Sequence, residues 1–469
     1  MDDGPAETPS VRSGPRRRPL ETRALRERAL VLVPVFKRGP ARSPAGSLEN
    51  PAGVGTPHSP ADRLAEASGL AAAIDLDVIQ SLIIPIGEPR PATLIGSGKV
   101  EELCKFIADE KIGLAIVDHA ITPGQQRNLE KAWTCKVLDR TGLILEIFGS
   151  RAKTKEGVLQ VELAHLTYQK GRLVRAWTHL ERQRGGAGFL GGPGEAQIEL
   201  DRRMLQDRID AIKKELVEVV RTRELHRAGR RKVPYPIVAI VGYTNAGKST
   251  LFNCVTGASV LAKDQVFATL DPTMRELKLV TGRRIILSDT VGFISDLPTM
   301  LVAAFRATLE EVIEADLILH VRDIAHAETD AQASDVEGVL RDLGIDTLSA
   351  ESHILEVWNK IDLLSAEQRQ EALSAARFRE RRPAVVSAVT GEGLDELSAL
   401  IDARLGAADV LLDLVIPASA GKLLHWLYEN AEIVSRQTTD DGATETRIRI
   451  SPEKRNQLDA QLKRAGVVG

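Results

Sequence analysis

The stretch Gly242-Tyr-Thr-Asn-Ala-Gly-Lys-Ser249 decides the fold of the central part of this chain. It fits the pattern G-x-x-x-x-G-K-[ST], and it lies between an apolar, strand-like run at 236–241 and a helix-like run that begins at Thr250. In this context the glycines let successive backbone N–H groups point at phosphates, beside the positive end of the following helix. The sequence therefore predicts a phosphate-binding loop in a doubly wound α/β domain.

This loop supplies the first candidates for nucleotide and metal binding. We expect Lys248 to reach the β- and γ-phosphates and Ser249 to ligate Mg²⁺. The loop alone does not distinguish ATP from GTP. The nucleotide-binding candidates in it are Gly242, Tyr243, Thr244, Asn245, Ala246, Gly247, Lys248, Ser249 and Thr250.

The run Asn359-Lys-Ile-Asp362 makes that distinction, because it follows a strand-like stretch at 354–358. The carboxylate of Asp362 can accept hydrogen bonds from both N1–H and N2–H₂ of guanine, and adenine offers no matching pair of donors. Leaving two charge-assisted bonds unmade costs roughly 3–6 kcal/mol, so we predict GTP as the substrate. The base-binding candidates are Asn359, Lys360, Ile361 and Asp362, backed by Ser387, Ala388 and Val389.

A D-x-x-G run at 289–292 ends an apolar strand-like stretch between these two motifs. We expect Asp289 to hold the Mg²⁺ shell through water and the Gly292 N–H to face the γ-phosphate. Thr269 is the candidate for the threonine that closes on Mg²⁺, with Thr273 as the weaker alternative. The nucleotide-binding candidates here are Phe267, Ala268, Thr269, Leu270, Asp271, Asp289, Thr290, Val291 and Gly292.

Phe293 occupies the position where Ras-like switches carry a glutamine that orients the attacking water. An apolar ring cannot position water. We therefore expect slow GTP hydrolysis by the isolated protein, with Lys248, Thr269 and Gly292 as its catalytic groups. A partner surface or a charge in trans would complete the site, and substitution by another residue of the chain is the alternative.

The chain has 469 residues, enough for several domains. Its three cysteines form no C-x-x-C pair, which favours a reducing, cytoplasmic setting without disulfides or zinc. The first residues contain no apolar signal-peptide region, and no apolar run is long enough to span a bilayer. We expect a monomer without stable membrane insertion, which can still visit a membrane surface.

Five segments follow from the patterns along the chain: a disordered tail at 1–27, a small parallel α/β domain at 28–150, a helical hairpin at 151–232, the GTPase domain at 233–406, and a small α+β module at 407–469. The alternation predicts a parallel sheet in the first domain. There the patterns predict strands at 29–36, 79–86, 114–118 and 136–138, and helices at 61–73, 99–109 and 123–133. The run Gly96-Ser-Gly-Lys99 favours a helix N-terminal turn over a second phosphate loop.

The segment 151–232 carries two apolar seams with a spacing of seven residues, one from Leu159 to Leu180 and one from Ile198 to Val219. The seams predict an antiparallel helical hairpin. It holds 19 basic and 11 acidic side chains, whereas residues 233–469 hold 24 and 35. Its glycine-rich loop at 185–194 is suited to close contact with RNA, and a loop without contacts is the alternative. The RNA-contact candidates are Arg182, Arg184, Gly185, Gly186, Phe189, Leu190, Gly191 and Gly192.

From about residue 28 onward the chain resembles the HflX family of translation-factor-related GTPases. The resemblance is carried by the phosphate loop and by the runs at 140–148, 178–182, 191–195, 200–203, 267–272 and 289–293. The hairpin and glycine loop are its most specific part, because generic switch proteins lack them. The sequence departs at Ala187, Leu190 and Ala196, where the family often shows Gly, Arg and a hydroxyl residue.

The resemblance implies a ribosome-associated GTPase that binds the large subunit and splits stalled ribosomes. It also implies that the hairpin inserts toward the peptidyl-transferase region, with the glycine loop against ribosomal RNA, and that Phe293 belongs to a group of GTPases with an apolar residue at this position. A GTP-dependent assembly factor for the large subunit, or an RNA-binding regulatory switch without splitting activity, is the alternative.

Overall fold

The computed structural model describes residues 26–36, 58–183, 193–230, 235–257, 267, 273–280, 282–296, 306–347, 349, 352–406, 410–439, 442–450 and 452–466. Three sheets organise these residues, with four, six and three strands. The first two sheets belong to α/β units and the third to a small α+β module, which confirms the predicted fold class. All three cysteines are free thiols.

The first sheet is parallel throughout, with the strand order β2-β1-β3-β4. Its central strand is apolar and fully buried from Ala29 to Val33, as expected when helices cover both faces. Its strands are β1 (Arg28–Phe36), β2 (Asp77–Ile86), β3 (Leu114–Val117) and β4 (Lys136–Asp139). The helices are α1 (Pro60–Ala72), α2 (Ser97–Asp109) and α3 (Pro123–Trp133). Gly96 is the N-cap of α2, so the run at 96–99 is a helix start.

A fourth helix, α4 (Arg140–Arg151), follows β4 directly and matches no element that the sequence predicted. The Asp139 side chain caps it by accepting a hydrogen bond from the Gly142 N–H. Seven of its residues are buried, and five of these are the apolar Leu143, Ile144, Leu145, Ile147 and Phe148. They join the core of the first domain to that of the GTPase domain. This helix therefore lies between the two sheets.

The hairpin consists of α5 (Lys155–Gln183) and α6 (Pro193–Arg230). The second helix has 38 residues, which corresponds to roughly 57 Å at 1.5 Å per residue. The seams alone predict helices of about 25 residues, so α6 is longer than expected. Seam residues Leu159, Ile209 and Ile212 are buried, and Arg208 pairs with Glu162 across the two helices at 2.7 Å. No helix in the described part of the chain is long and apolar enough to cross a membrane.

The second sheet has the strand order β10-β9-β8-β5-β7-β6, with only the edge strand β6 antiparallel. The strands are β5 (Ile237–Gly242), β6 (Thr273–Lys278), β7 (Arg284–Asp289), β8 (Leu317–Asp323), β9 (Ile354–Asn359) and β10 (Ala384–Val385). The helices are α7 (Lys248–Thr256), α8 (Arg306–Ile313), α9 (Thr329–Asp342), α10 (Ala366–Phe378) and α11 (Leu394–Gly406). Parallel strands bring all the predicted motifs to one edge of this sheet.

The C-terminal module pairs β11 (Val410–Ile416), β13 (Thr444–Ile450) and β12 (Glu432–Thr438) in an antiparallel sheet. Helices α12 (Gly421–Asn430) and α13 (Pro452–Ala465) pack on one face and enclose a separate core. From the sequence alone, strands at 410–415 and 444–450 and helices at 421–432 and 452–464 are predicted in this module, so β12 is missed. The first of these helices ends at Asn430, and the exposed edge strand after it is too polar to show the apolar alternation of a strand.

Candidate functional site

The phosphate loop connects the end of β5 with the first residue of α7. Its two outer glycines are required by geometry. Gly242 has φ +155°, and a Cβ there would lie 2.2 Å from the Val321 carbonyl oxygen. Gly247 has φ +92°, and a Cβ there would lie 2.3 Å from Asn359 Nδ2. The loop is therefore held tightly between β8 and the base-binding motif, with its backbone free to face phosphates.

Lys248 lies under this loop, buried, with Nζ donating to the Tyr243 carbonyl oxygen at 2.7 Å. Burial lowers its pKa to about 8, against the opposing pull of Asp289. A buried ammonium without a full counter-charge gains from an arriving phosphate. The side chain is therefore placed and charged to bind an anion in the loop.

The hydroxyl and the carboxylate expected around Mg²⁺ lie together at the start of α7. Ser249 Oγ donates to Asp289 Oδ2 at 2.7 Å, and Asp289 is fully buried at the end of β7. Oxygen ligands of this kind suit Mg²⁺, which also takes substrate phosphates and waters. The residues present fit the ion. Thr273 begins β6, opposite Asp289, and Thr269 lies outside the described residues, as do Ala268, Leu270 and Asp271.

The base-binding residues form a connected hydrogen-bond network. Asn359, nearly fully buried, donates from Nδ2 to the Ala246 carbonyl oxygen at 2.9 Å and accepts at Oδ1 from the Ala388 N–H at 3.0 Å. It thereby ties the phosphate loop to the segment after β10. Ser387 Oγ donates to Asp362 Oδ1 at 2.6 Å, which fixes the carboxylate that the sequence assigned to guanine. Val389 is exposed beside this network.

Asp323 is a site residue that sequence reasoning missed. It ends β8, and its Oδ2 lies 2.8 Å from the Nζ of Lys360, whose backbone adopts φ +66°. The ion pair holds the lysine along the phosphate loop, within 4.0 Å of the Gly247 Cβ position. The signal was present, because a carboxylate directly after a buried parallel strand lies at the same edge as the other motifs.

Phe293 is 1% exposed and bridges the phosphate loop through its backbone. Its N–H donates to the Gly242 carbonyl oxygen at 3.1 Å, and its carbonyl oxygen accepts from the Thr244 N–H at 2.7 Å. The ring belongs to the same buried cluster as Phe148 of α4 and Phe267, which contact each other edge to face at 4.6 Å between centroids. The ring is thus in the core between the two domains, turned away from any water-positioning role.

Side chains of the first domain form hydrogen bonds with the segment that follows Phe293. The sequence did not predict this contact. Arg140 Nη2 donates to the carbonyl oxygen and to Oγ of Ser295, each at 2.8 Å. Ser295 Oγ donates to Glu66 at 2.9 Å, and its N–H donates to the Tyr243 hydroxyl at 2.9 Å. Burial disfavours the charge of Arg140, but the carboxylates of Glu66 and Asp118 outweigh it and raise its pKa.

A cleft of about 440 Å³ lies between α1 and the outer face of the phosphate loop, lined by Glu66, Thr244, Asn245 and Asp323 among others. Its lining includes His58, which bridges Glu328, the N-cap residue of α9, and Asp335 within α9, at 2.6 and 2.7 Å. The hydrogen bond to Asp335 raises the pKa of His58 to about 9, against desolvation and with help from Glu328. The first domain and the GTPase domain therefore contact each other through His58 on one side of the cleft and through Glu66 and Ser295 on the other.

Comparison with known proteins places this geometry in a family. Four family models match in chain order: a GTP-binding GTPase N-terminal region (61–149), a GTP-binding GTPase middle region (151–230), a 50S ribosome-binding GTPase (237–360) and an HflX C-terminal domain (373–467). The GTPase HflX of Magnetococcus marinus is 48% identical over 85% of this chain and 90% of its own length. The chain belongs to the HflX family of GTPases.

A second HflX relative, from Escherichia coli, is 42% identical over 82% of this chain and 89% of its own length. Among solved structures, a GTP-binding protein from the archaeon Sulfolobus solfataricus in complex with GDP matches with a TM-score of 0.41 at 22% identity, over 81% of this chain and 99% of that one. As an HflX GTPase, the protein binds and hydrolyses GTP.

The RNA-contact candidates lie mostly outside the described residues. Arg184, Gly185, Gly186, Phe189, Leu190, Gly191 and Gly192 all fall in the gap between α5 and α6. Arg182 belongs to the last turn of α5. The described part of the chain resumes at Pro193, the first residue of α6.

Proposed function

We propose that this HflX GTPase associates with the large ribosomal subunit and splits stalled ribosomes. The observation that carries the proposal is the long basic hairpin, which packs on the first domain of a chain that also holds a GTP site. Its segment has a net charge of +8, whereas the chain from residue 233 onward has −11. A basic arm beside an acidic body favours contact of the arm alone with a polyanion such as ribosomal RNA.

The anchoring of the hairpin supports a mechanical role. Arg172 of α5 bonds to Asp139 and Gln126 of the first domain, and Tyr168 donates to Asp139 at 2.6 Å. An arm held at its base by buried polar contacts transmits force and position better than a tethered helix pair. The matched description of residues 237–360 as a 50S ribosome-binding GTPase favours the large subunit as the partner.

The nucleotide chemistry assigns a role to each group. In the proposal Lys248 binds the β- and γ-phosphates, Ser249 ligates Mg²⁺ with Thr269, and Asp289 holds the metal shell through water. Gly292 faces the γ-phosphate and Asp362 binds guanine. Because Phe293 is buried among aromatic rings and cannot orient water, hydrolysis is slow until the ribosome completes the site.

Pelleting with purified subunits and intact ribosomes under GTP, GDP and no nucleotide tests the proposal. We expect nucleotide-dependent binding to the large subunit, stimulated GTP hydrolysis, and conversion of stalled ribosomes to subunits in gradient profiles. Binding restricted to immature large subunits would favour an assembly factor instead. RNA binding without subunit release would favour a regulatory switch, and the absence of any ribosome association would refute the proposal.

A further inference from the structure

We propose that the adjacent residues Asp139 and Arg140 couple the hairpin to the GTP site, so that RNA contact at the hairpin controls hydrolysis. The inference rests on the proposed function for the identity of the hairpin's ligand. The coupling itself rests on the structure, because one residue of the pair bonds to the hairpin and the other to the segment that follows Gly292.

Asp139 is the hairpin side of the pair. Its carboxylate, 3% exposed, accepts from the Tyr168 hydroxyl at 2.6 Å through Oδ1 and from Arg172 through Oδ2. Tyr168 and Arg172 are one turn apart on α5, and the guanidinium lies 4.5 Å from the centre of the tyrosine ring. If α5 rotates about its axis or shifts along it, the contacts of both side chains with this single buried carboxylate must therefore change.

Arg140 is the nucleotide side. Its Nη1 donates to Asp118 at 2.5 Å, and its Nη2 donates to Glu66 at 2.9 Å and to two oxygens of Ser295 at 2.8 Å. Ser295 is three residues beyond Gly292. A Cβ at Gly292 would lie 3.0 Å from Lys248 Nζ, so this segment packs directly on the phosphate-binding lysine. A displacement of Ser295 changes the space beside the γ-phosphate position.

The two sides share the first turn of α4. Asp139 caps that helix by accepting from the Gly142 N–H at 2.7 Å, and Arg140 is its first residue. A shift of α5 that pulls on the Asp139 carboxylate therefore also moves the origin of the Arg140 side chain. Because Arg140 and its partners are buried charges, the network is stable when fully paired and unfavourable when partly broken. The relay requires two states of this network, the fully paired one described here and one in which the Ser295 contacts are broken.

Coupling is reciprocal, so the nucleotide must also affect the hairpin base. This permits a test that needs no ribosome. We expect hydrogen exchange of the α5 peptide at 165–175 to differ between the GDP complex and a complex with a non-hydrolysable GTP analogue. The difference should shrink in Ser295→Ala, which loses the hydroxyl contacts with Arg140 and Glu66 and keeps only the Arg140 contact with the backbone carbonyl oxygen. Equal exchange in the two complexes of the wild-type protein would overturn the relay.

The ribosome-dependent test uses Tyr168→Phe, which removes one hydroxyl from the Asp139 contact and keeps the ring. We expect unchanged subunit pelleting and unchanged hydrolysis without ribosomes, but a fall of about tenfold in the ribosome-stimulated kcat with KM unchanged. In the double variant Tyr168→Phe/Ser295→Ala, the loss of stimulation should equal the larger of the two losses measured in the single variants, because both substitutions interrupt the same path. The proposal would be overturned if the loss in the double variant equalled the product of the two single losses, or if Tyr168→Phe kept full stimulation.

Glu162→Gln is the matched control. It weakens the contact of α5 with Arg208 of α6 and leaves Asp139 untouched. We expect it to retain full stimulation, and a loss equal to that of Tyr168→Phe would assign the effect to general hairpin rigidity and overturn the relay. If the wild-type protein fails to bind ribosomes while the exchange difference is present, the proposed function falls and the relay stands.

Discussion

At the scale of single residues, Lys248 gives the site a dependence on pH. Its pKa is lowered to about 8 by burial, and bound phosphates raise it again because they stabilise the charged form. Below about pH 8 the lysine is charged before binding. Above it, binding must take up a proton, so affinity for GDP should fall by up to about tenfold per pH unit.

Calorimetry from about pH 7 to about pH 9, in buffers of different ionisation heat, measures both the affinity and the proton uptake. Lys248→Arg is the control, because arginine stays charged and the titration of guanine is common to both proteins. In this variant the part of the pH dependence of GDP affinity that comes from titration of the lysine should be absent. An equal pH dependence in the two proteins would assign the effect to the nucleotide and contradict a lowered lysine pKa.

Asp362 carries the prediction on base specificity. In Asp362→Asn the amide can no longer accept two donors from guanine, so GTP affinity should fall by roughly a hundred- to ten-thousandfold. Xanthine nucleotides should be preferred, since they carry an acceptor in place of one donor. Competition binding with GTP and XTP measures this. Ser387→Ala loses the 2.6 Å bond to the carboxylate and the 3.1 Å bond from the Thr390 N–H but keeps Asp362 itself, so it should keep the preference for guanine.

At the same scale, local motifs are enough to predict candidate nucleotide residues, whereas the side chains that hold their segments in place are visible only in the folded structure. In a motif such as Asn359-Lys-Ile-Asp362, the local backbone sets the relative positions of the side chains, so the spacing of the residues in the sequence already determines their geometry. Ser295 and Arg140 meet across 155 positions of sequence. No local pattern connects a serine after a D-x-x-G run with an arginine after a short strand, and only the packed fold brings them together.

At the scale of elements, strands and amphipathic helices of the first domain were predictable because each has one period and clear ends. Helix α4 was not, because its apolar residues form the run 143–148, broken only by Glu146, and such a run shows no helical spacing. A segment rich in Leu, Ile and Phe without periodicity fits a strand as well as a helix. Its position between two domains is the physical reason for the missing pattern.

The glycine-rich loop carries a prediction for the hairpin as an element. We expect a short polar turn in place of residues 185–194 to leave GTP binding unchanged, because the described site contacts lie in the two α/β domains. Release of subunits from stalled ribosomes should be abolished. Nucleotide affinity and circular dichroism serve as controls for folding, and unchanged release would show that the loop is a connector only.

At the scale of the whole molecule, the first domain and the GTPase domain share one hydrophobic cluster, besides separate clusters in each, whereas the C-terminal module has its own. The shared core contains residues of β1 and α4 together with Phe293 and residues of β5 and β8. Two domains that bury apolar surface against each other in this way should unfold together. Bound nucleotide should then stabilise both, since it binds only the folded state.

Phe148→Ala tests that shared stability. The ring is 1% exposed in the shared cluster, and its removal should lower the free energy of unfolding by roughly 3–5 kcal/mol. In urea titrations, protection of residues in β3 and in β9 from hydrogen exchange should be lost at one common, lowered midpoint. Leu427→Ala, in the separate core of the C-terminal module, should lower the midpoint of that module alone. If the first two domains of the wild-type protein unfold at separate midpoints, their contact is a docking surface and not a common core. Bound nucleotide would then stabilise the GTPase domain alone.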